Sequence, residues 1–152
     1  PEAHERFMSF IPEEEHHNIL LAYHRRLTSD NQQIRNRAAK FFASYENSCA
    51  TLHAETRDAG HSAFSMAVLE AHYFMNNCFM PEDHILKNVR FIQHLPCYIV
   101  QGRHDVICPP ISAYKLHNIW GSKSKLTLVD DAGHSAFENG TLRNLMLFLQ
   151  AI

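Results

Sequence analysis

The sequence predicts an α/β protein whose two parts differ in texture. From residue 11 to about 79 the pattern reads as helices, and from about 88 onward it reads as strand, helix, strand, helix. Three observations carry this. Apolar residues recur three and four apart through the first part. A short continuous apolar run ending at Val100 and a second strand-like run, Leu126-Thr127-Leu128-Val129, occur in the second. Between them, Pro109-Pro110 and Gly121 bracket a helical stretch.

Taken in order, Pro12 followed by Glu13, Glu14 and Glu15 suits a helix start, because proline fits the first turn and carboxylates complement the helix dipole. Ile19, Tyr23 and Leu27 make an apolar stripe on that helix. Thr28-Ser29-Asp30-Asn31 predicts a turn and a cap for a second helix, with Ile34, Ala38, Phe41, Phe42 and Tyr45 along one side. A third helix runs from about Ser62 to Asn77 with Met66, Leu69 and Tyr73 as its stripe; Asn76, Asn77 and Pro81 mark its exit. Pro96-Cys97-Tyr98-Ile99-Val100, closed by Gln101-Gly102, predicts a strand buried on both faces, as in a parallel sheet. The helix that opens at Pro109-Pro110 turns Ala113, Leu116 and Trp120 inward and stops at Gly121. Leu126-Thr127-Leu128-Val129 predicts a second strand, and Leu142, Leu145, Met146 and Leu149 the stripe of a last helix. A right-handed crossover makes the two strands parallel. Two strands alone are fewer than a stable sheet needs, so most of the implied sheet is expected to lie outside this sequence.

Composition narrows the function. Of 152 residues, 45% are apolar and 20% charged, which is globular composition with enough chain for a core. A formal charge of −2 gives no basic field for nucleic acid or an anionic membrane. No apolar run approaches the roughly 20 residues that cross a bilayer. The opening Pro-Glu-Ala-His-Glu-Arg has no signal-peptide pattern, and without an initiator Met the chain is expected to begin inside something larger. Cys49, Cys78, Cys97 and Cys108 show no C-x-x-C spacing, which argues against structural zinc and predicts the reduced thiols of a cytoplasmic protein. The 12 histidines are scattered, with no H-E-x-x-H helix. The five glycines stand seven or more positions apart, so neither a G-x-S-x-G elbow nor a G-x-G-x-x-G loop occurs in these residues.

In parallel sheets, sites form beyond the carboxyl ends of the strands. The first strand leads into Gly102-Arg103-His104-Asp105 and the second into Asp130-Asp131-Ala132-Gly133-His134-Ser135. Asp105 and His134 are thereby expected at one sheet edge. An acyl-transfer triad needs that pairing: a carboxylate to fix the imidazole, and a histidine to act as base and then acid. The plainer alternative is two solvated loop residues. Glu46 and Glu70 each interrupt a mainly apolar helical stripe. A buried carboxylate awaits a cation, either a ligand amine or an arginine such as Arg35 or Arg37. Asp-Ala-Gly-His-Ser-Ala-Phe occurs at both 58–64 and 131–137, which makes His61 a rival base.

Several of these segments together resemble one family. Gly-Arg-His-Asp-Val-Ile-Cys-Pro at 102–109 is similar to the catalytic-aspartate segment of prolyl iminopeptidases, α/β-hydrolase serine peptidases. Ala-Gly-His-Ser at 132–135 resembles their catalytic histidine loop, Glu-Ala-His-Tyr-Phe at 70–74 their cap motif, and Phe-Ala-Ser-Tyr-Glu at 42–46 their Trp-x-x-Trp-Glu segment. The resemblance implies a C-terminal portion of an α/β-hydrolase: a helical cap over 1–87, then the last two core strands and their helices over 88–152. It implies Asp105 as triad acid and His134 as triad base. Glu46 and Glu70 become receivers of the substrate's amino terminus, Tyr73 and Phe74 lining of the proline pocket, and Cys108 a thiol near the active site. Phe42 and Tyr45 stand where the family has tryptophans, which implies a reshaped pocket. The implied substrates are peptides with N-terminal proline, hydrolysed through a serine acyl-enzyme without metal or cofactor. The serine and oxyanion loop belong to the family's N-terminal half, which is missing from these residues, so the chain by itself is expected to be inactive. Two readings stand beside this one. The chain is a non-catalytic, truncated module that self-associates or binds a partner through its sheet edge, or it serves a related hydrolase with another acyl substrate.

Overall fold

A computed structural model of the chain describes residues 2–53 and 62–150. They divide into two units, Pro1–Ser48 with Thr56–Pro81 and Cys49–Glu55 with Glu82–Ile152.

The first unit is helical. Helix α1 (Glu2–Ser9) lies ahead of the predicted start, with Glu2 and Glu5 in its first turn and Arg6 in its last. The predicted helix from Pro12 is two pieces. A 3₁₀ turn over Glu13–Asn18 precedes α2 (Ile19–Leu27), because Asn18 leaves helical geometry and its side chain accepts from the Leu21 N–H at 3.1 Å. An asparagine there competes with the main chain and restarts the helix. Asn31 does the same for α3 (Gln32–Ala50), accepting from the N–H groups of Gln33 and Ile34. Glu15 and Arg26 tie the 3₁₀ turn to α2 through two hydrogen bonds of 2.7 and 2.9 Å.

Tyr23 and Leu27 are fully buried among Ile11, Ala38, Ala39, Phe42, Ala67 and Ala71. The Tyr23 ring stacks on Phe7 at 4.4 Å, and its hydroxyl donates to the Phe7 carbonyl at 2.7 Å. Burial pushes the Tyr23 phenol well above the ordinary tyrosine range. Two stripes differ from expectation. Ile34 is exposed, and α3 buries Ala38, Ala39, Phe42 and Ala43. Helix α4 (Ser62–Met75) leaves Met66, Leu69 and Tyr73 exposed and buries Ala67 and Ala71. This helix is apolar on nearly every side, so periodicity cannot choose its inner face. The alanines win because they admit the close approach of α2. It ends at Met75, and Asn77, Cys78 and Phe79 follow with positive φ.

In the second unit, the short α5 (His84–Asn88) precedes β1 (Cys97–Gly102), α6 (Pro110–Trp120), β2 (Ser124–Val129) and α7 (Asn139–Leu149). The strands pair in parallel from Cys97↔Ser124 to Gly102↔Val129. Gly121, at φ 81°, ends α6 as expected. The strand predicted to be buried on both faces is half-covered for most of its length, since it has one neighbour among the described residues. The last helix also turns a different face inward. Leu142, Met146 and Leu149 are exposed, while Thr141 is buried and Phe148 lies 4.8 Å from Tyr98 on β1. An aromatic contact with the strand outweighs the aliphatic stripe.

Candidate active site

Because Gly102 pairs with Val129, the two strands end level and their following loops run side by side. Main-chain bonds join them: the Arg103 N–H donates to the Val129 carbonyl at 2.8 Å and that of His104 to the Ala132 carbonyl at 3.0 Å. At the surface the Arg103 guanidinium pairs with the Asp130 carboxylate. The loops approach so closely that only glycine fits at 102. A Cβ there would overlap the Gly133 carbonyl and stand 2.7 Å from that of Ala132.

This join brings Asp105 and His134 together. Nδ1 of His134 lies 3.1 Å from Oδ2 and 3.2 Å from Oδ1 of Asp105. An ionised carboxylate only accepts, so Nδ1 carries the proton and Nε2 keeps its lone pair. Asp105 is 7% exposed, yet its oxygens are well supplied. Oδ1 accepts from the Ile107 and Cys108 N–H groups at 3.0 and 2.8 Å, and Oδ2 from the Gln101 side-chain amide at 3.0 Å. Burial acts to raise the Asp105 pKa. The Cys108 amide, His134 and Gln101 together outweigh it and hold the carboxyl below its ordinary range. A carboxylate kept ionised beside an imidazole is what a histidine base needs as its orienting partner.

Gln101 was not singled out in the sequence, although a polar residue closing an apolar strand was the available signal. Its amide also donates to the carbonyls of Gly102 and Cys108, at 3.3 and 3.2 Å, and so braces the Asp105 loop. Cys108 contributes its backbone N–H to the site, and its side chain is exposed. The sequence gives no hint that another serine–histidine contact exists. Ser124 Oγ lies 2.6 Å from Nδ1 of His117, but it also faces the His117 and Gly121 carbonyls at 3.1 and 3.0 Å. That hydroxyl donates to carbonyls at the end of α6, which makes the contact a helix terminus rather than an activated nucleophile.

Asp105, His134 and Cys108 thus meet in one unit, and the other residues singled out belong to the other. Glu46 on α3 and Glu70 on α4 are half-buried, each beside buried alanines and neither without a partner. Arg35 donates to the carbonyls of Ser29 and Asp30, and the Arg37 guanidinium lies over the Phe10 ring. Tyr73 and Phe74 are exposed, and Tyr73 meets Phe79 edge-on at 5.4 Å. Phe42 is in the core and Tyr45 stacks on Phe7 at 4.5 Å. His61 lies outside the described residues. Among the described residues no three His, Cys, Asp or Glu side chains gather as a metal-binding group, and no helix is long and apolar enough to cross a membrane.

Comparison with known proteins finds relatives of one kind. The chain is 42% identical over 154 residues to a proline iminopeptidase of Arabidopsis thaliana, covering 97% of this chain. It is 38% identical over 144 residues to a proline iminopeptidase of Xylella fastidiosa, covering 91% of this chain. Over nearly all of its length this chain is similar to a portion of proline iminopeptidases. A probable proline iminopeptidase of Leptolyngbya boryana is 40% identical over 152 residues. The chain spans 40%, 46% and 47% of the lengths of these three relatives, less than half of each. No family model matches it. Its two parallel strands and their helices are the C-terminal part of an α/β-hydrolase fold, and the helical unit precedes them in sequence.

Proposed function

We propose that this chain carries the acid and base of a serine aminopeptidase that releases N-terminal proline from peptides. The observation behind this reading is the Asp105–His134 pair at the ends of two parallel strands. In the reaction, Nε2 of His134 takes the hydroxyl proton of a serine as its oxygen attacks the prolyl carbonyl. Asp105 stabilises the imidazolium that forms. The imidazolium then gives its proton to the leaving amine, and water, activated by the same nitrogen, releases proline from the acyl-enzyme. Glu46 and Glu70 receive the charged amino group of the substrate, and Tyr73 and Phe74 line the ring pocket. Alkylation of Cys108 obstructs the site.

No G-x-S-x-G elbow occurs in these 152 residues, so the serine and oxyanion donors come from a companion segment, and the chain alone does not hydrolyse. Cys49, Cys78, Cys97 and Cys108, none of them in a disulfide, suit a reducing compartment such as the cytoplasm.

The test is a chimera in which this chain replaces the corresponding portion of the Arabidopsis relative. It is expected to release proline from a proline anilide, with no turnover by the 152-residue chain alone. Glu46→Gln and Glu70→Gln are expected to raise KM for proline substrates. A folded chimera that processes acyl esters but not proline anilide would point to another acyl substrate. Turnover by the chain alone, with Asp105→Asn equally active, would remove the companion segment from the account.

A further inference from the structure

Glu138 closes the His134 loop and is the N-cap residue of α7, yet its carboxylate does not cap that helix. It reaches back across the loop. Oε2 accepts from the Gly133 N–H at 2.6 Å, and Oε1 accepts from the Leu52 N–H at 2.8 Å. The peptide on the other side of His134 is tied to the same stretch of chain, since the Ser135 N–H donates to the Ala50 carbonyl at 2.7 Å. Residues 50–52, the continuation of α3, therefore form a rail along which the His134 loop is fastened before and after the histidine.

We propose that Glu138 is a positioning residue for His134: by bridging the Gly133 and Leu52 amides it fixes the peptide that carries the imidazole and so holds Nδ1 on Asp105. The inference rests on the proposed acid–base role of that pair. The His134 side chain is 39% exposed, so packing alone does not set its ring, and its orientation depends on backbone placement and on the bond to Asp105. Only a carboxylate at full glutamate length serves both amides. Glutamine offers one oxygen, and its NH₂ would confront the second N–H. Aspartate is a methylene too short. Each contact is a charge-assisted hydrogen bond, stronger than its neutral equivalent. The main chain has little slack there, because a Cβ on Gly133 would stand 3.1 Å from the Leu52 nitrogen.

The test is the tautomer of His134, read from long-range ¹⁵N–¹H NMR of the 152-residue chain at about pH 9, where a histidine is neutral. An imidazole left to water favours the Nε2–H form, whereas the Asp105 bond selects Nδ1–H. The wild-type chain is expected to show Nδ1–H. Glu138→Ala is expected to move His134 to a mixture, while the Ile107 and Cys108 amides, which bond Asp105, keep their exchange protection. Glu138→Gln is expected to move it part of the way and decides the matter if the alanine variant does not fold. A wild-type tautomer in both variants overturns the inference. Loss of the Ile107 and Cys108 protection together with the tautomer also overturns it, because Glu138 would then be supporting the fold at large. If the wild-type chain itself lacks the Nδ1–H form, the Asp105–His134 pairing fails, and this inference falls with it. A change confined to the variants isolates Glu138.

Discussion

His134 meets Asp105 at 3.1 Å although 29 residues separate them in sequence. The parallel register brings them there. Gly102 and Val129 are paired, so the loops that follow the two strands, which carry Asp105 and His134, arrive at the same edge.

The pairing predicts an effect of Asp105→Asn that is chemical more than structural. Asparagine retains an oxygen for the Ile107 and Cys108 amides, but its NH₂ cannot accept from Nδ1–H and selects the opposite imidazole tautomer. In a completed enzyme, kcat is expected to fall by about 10⁴-fold, as when a triad aspartate becomes asparagine in another serine hydrolase. KM is expected to change little. Steady-state kinetics on proline anilide check this.

Acid stability carries the same signature. The Asp105 carboxyl has a lowered pKa in the folded chain, so its contribution is present above the unfolded value, about 3.9, and is lost as pH falls through the folded one. Glu15 beside Arg26 adds in the same direction. The urea midpoint is expected to drop as pH is lowered from 5 toward 2 (both rough bounds), and to drop less steeply in Asp105→Asn. Equal slopes would mean that the carboxylate is not stabilised by its neighbours.

Two glycines should separate stability from site geometry. Gly121 has positive φ and open space around it, whereas Gly102 faces the Gly133 and Ala132 carbonyls. Alanine at either is expected to cost about 1–3 kcal/mol in chemical denaturation. Only Gly102→Ala should also disturb the His134 tautomer, because a methyl there drives the two loops apart.

In the helical unit, Tyr23→Phe removes the hydroxyl bond to Phe7 and leaves its carbonyl partnerless, at a cost of about 1 kcal/mol. Leu27→Ala leaves a cavity in the core and is expected to cost about 2–5 kcal/mol. Urea unfolding followed by tyrosine fluorescence and far-ultraviolet dichroism measures both. A Leu27→Ala cost below that of Tyr23→Phe would place Leu27 outside the core.

The legible parts of this molecule were those that follow from a local rule. A proline pair and a glycine bracket α6, Asn31 caps α3, and strand ends in a parallel sheet place Asp105 beside His134. The parts that escaped depend on which of several equivalent surfaces meets a neighbour. Helix α4 is apolar nearly all round, so small Ala67 and Ala71 rather than Met66 and Leu69 define its inner face. Helix α7 is oriented by Phe148 against Tyr98. Gln101 and Glu138 look like ordinary polar residues in sequence, and their roles come from acceptors and donors that the fold brings to them.

The most direct measurement is hydrolysis of proline anilide by the chimera with the Arabidopsis relative, carrying His134→Ala or Asp105→Asn. The account predicts turnover by the parent chimera, a loss of about 10⁴-fold for Asp105→Asn and a larger one for His134→Ala, with both variants folded. Undiminished turnover in a folded His134→Ala chimera would contradict it, and the base would have to be sought elsewhere in the chain.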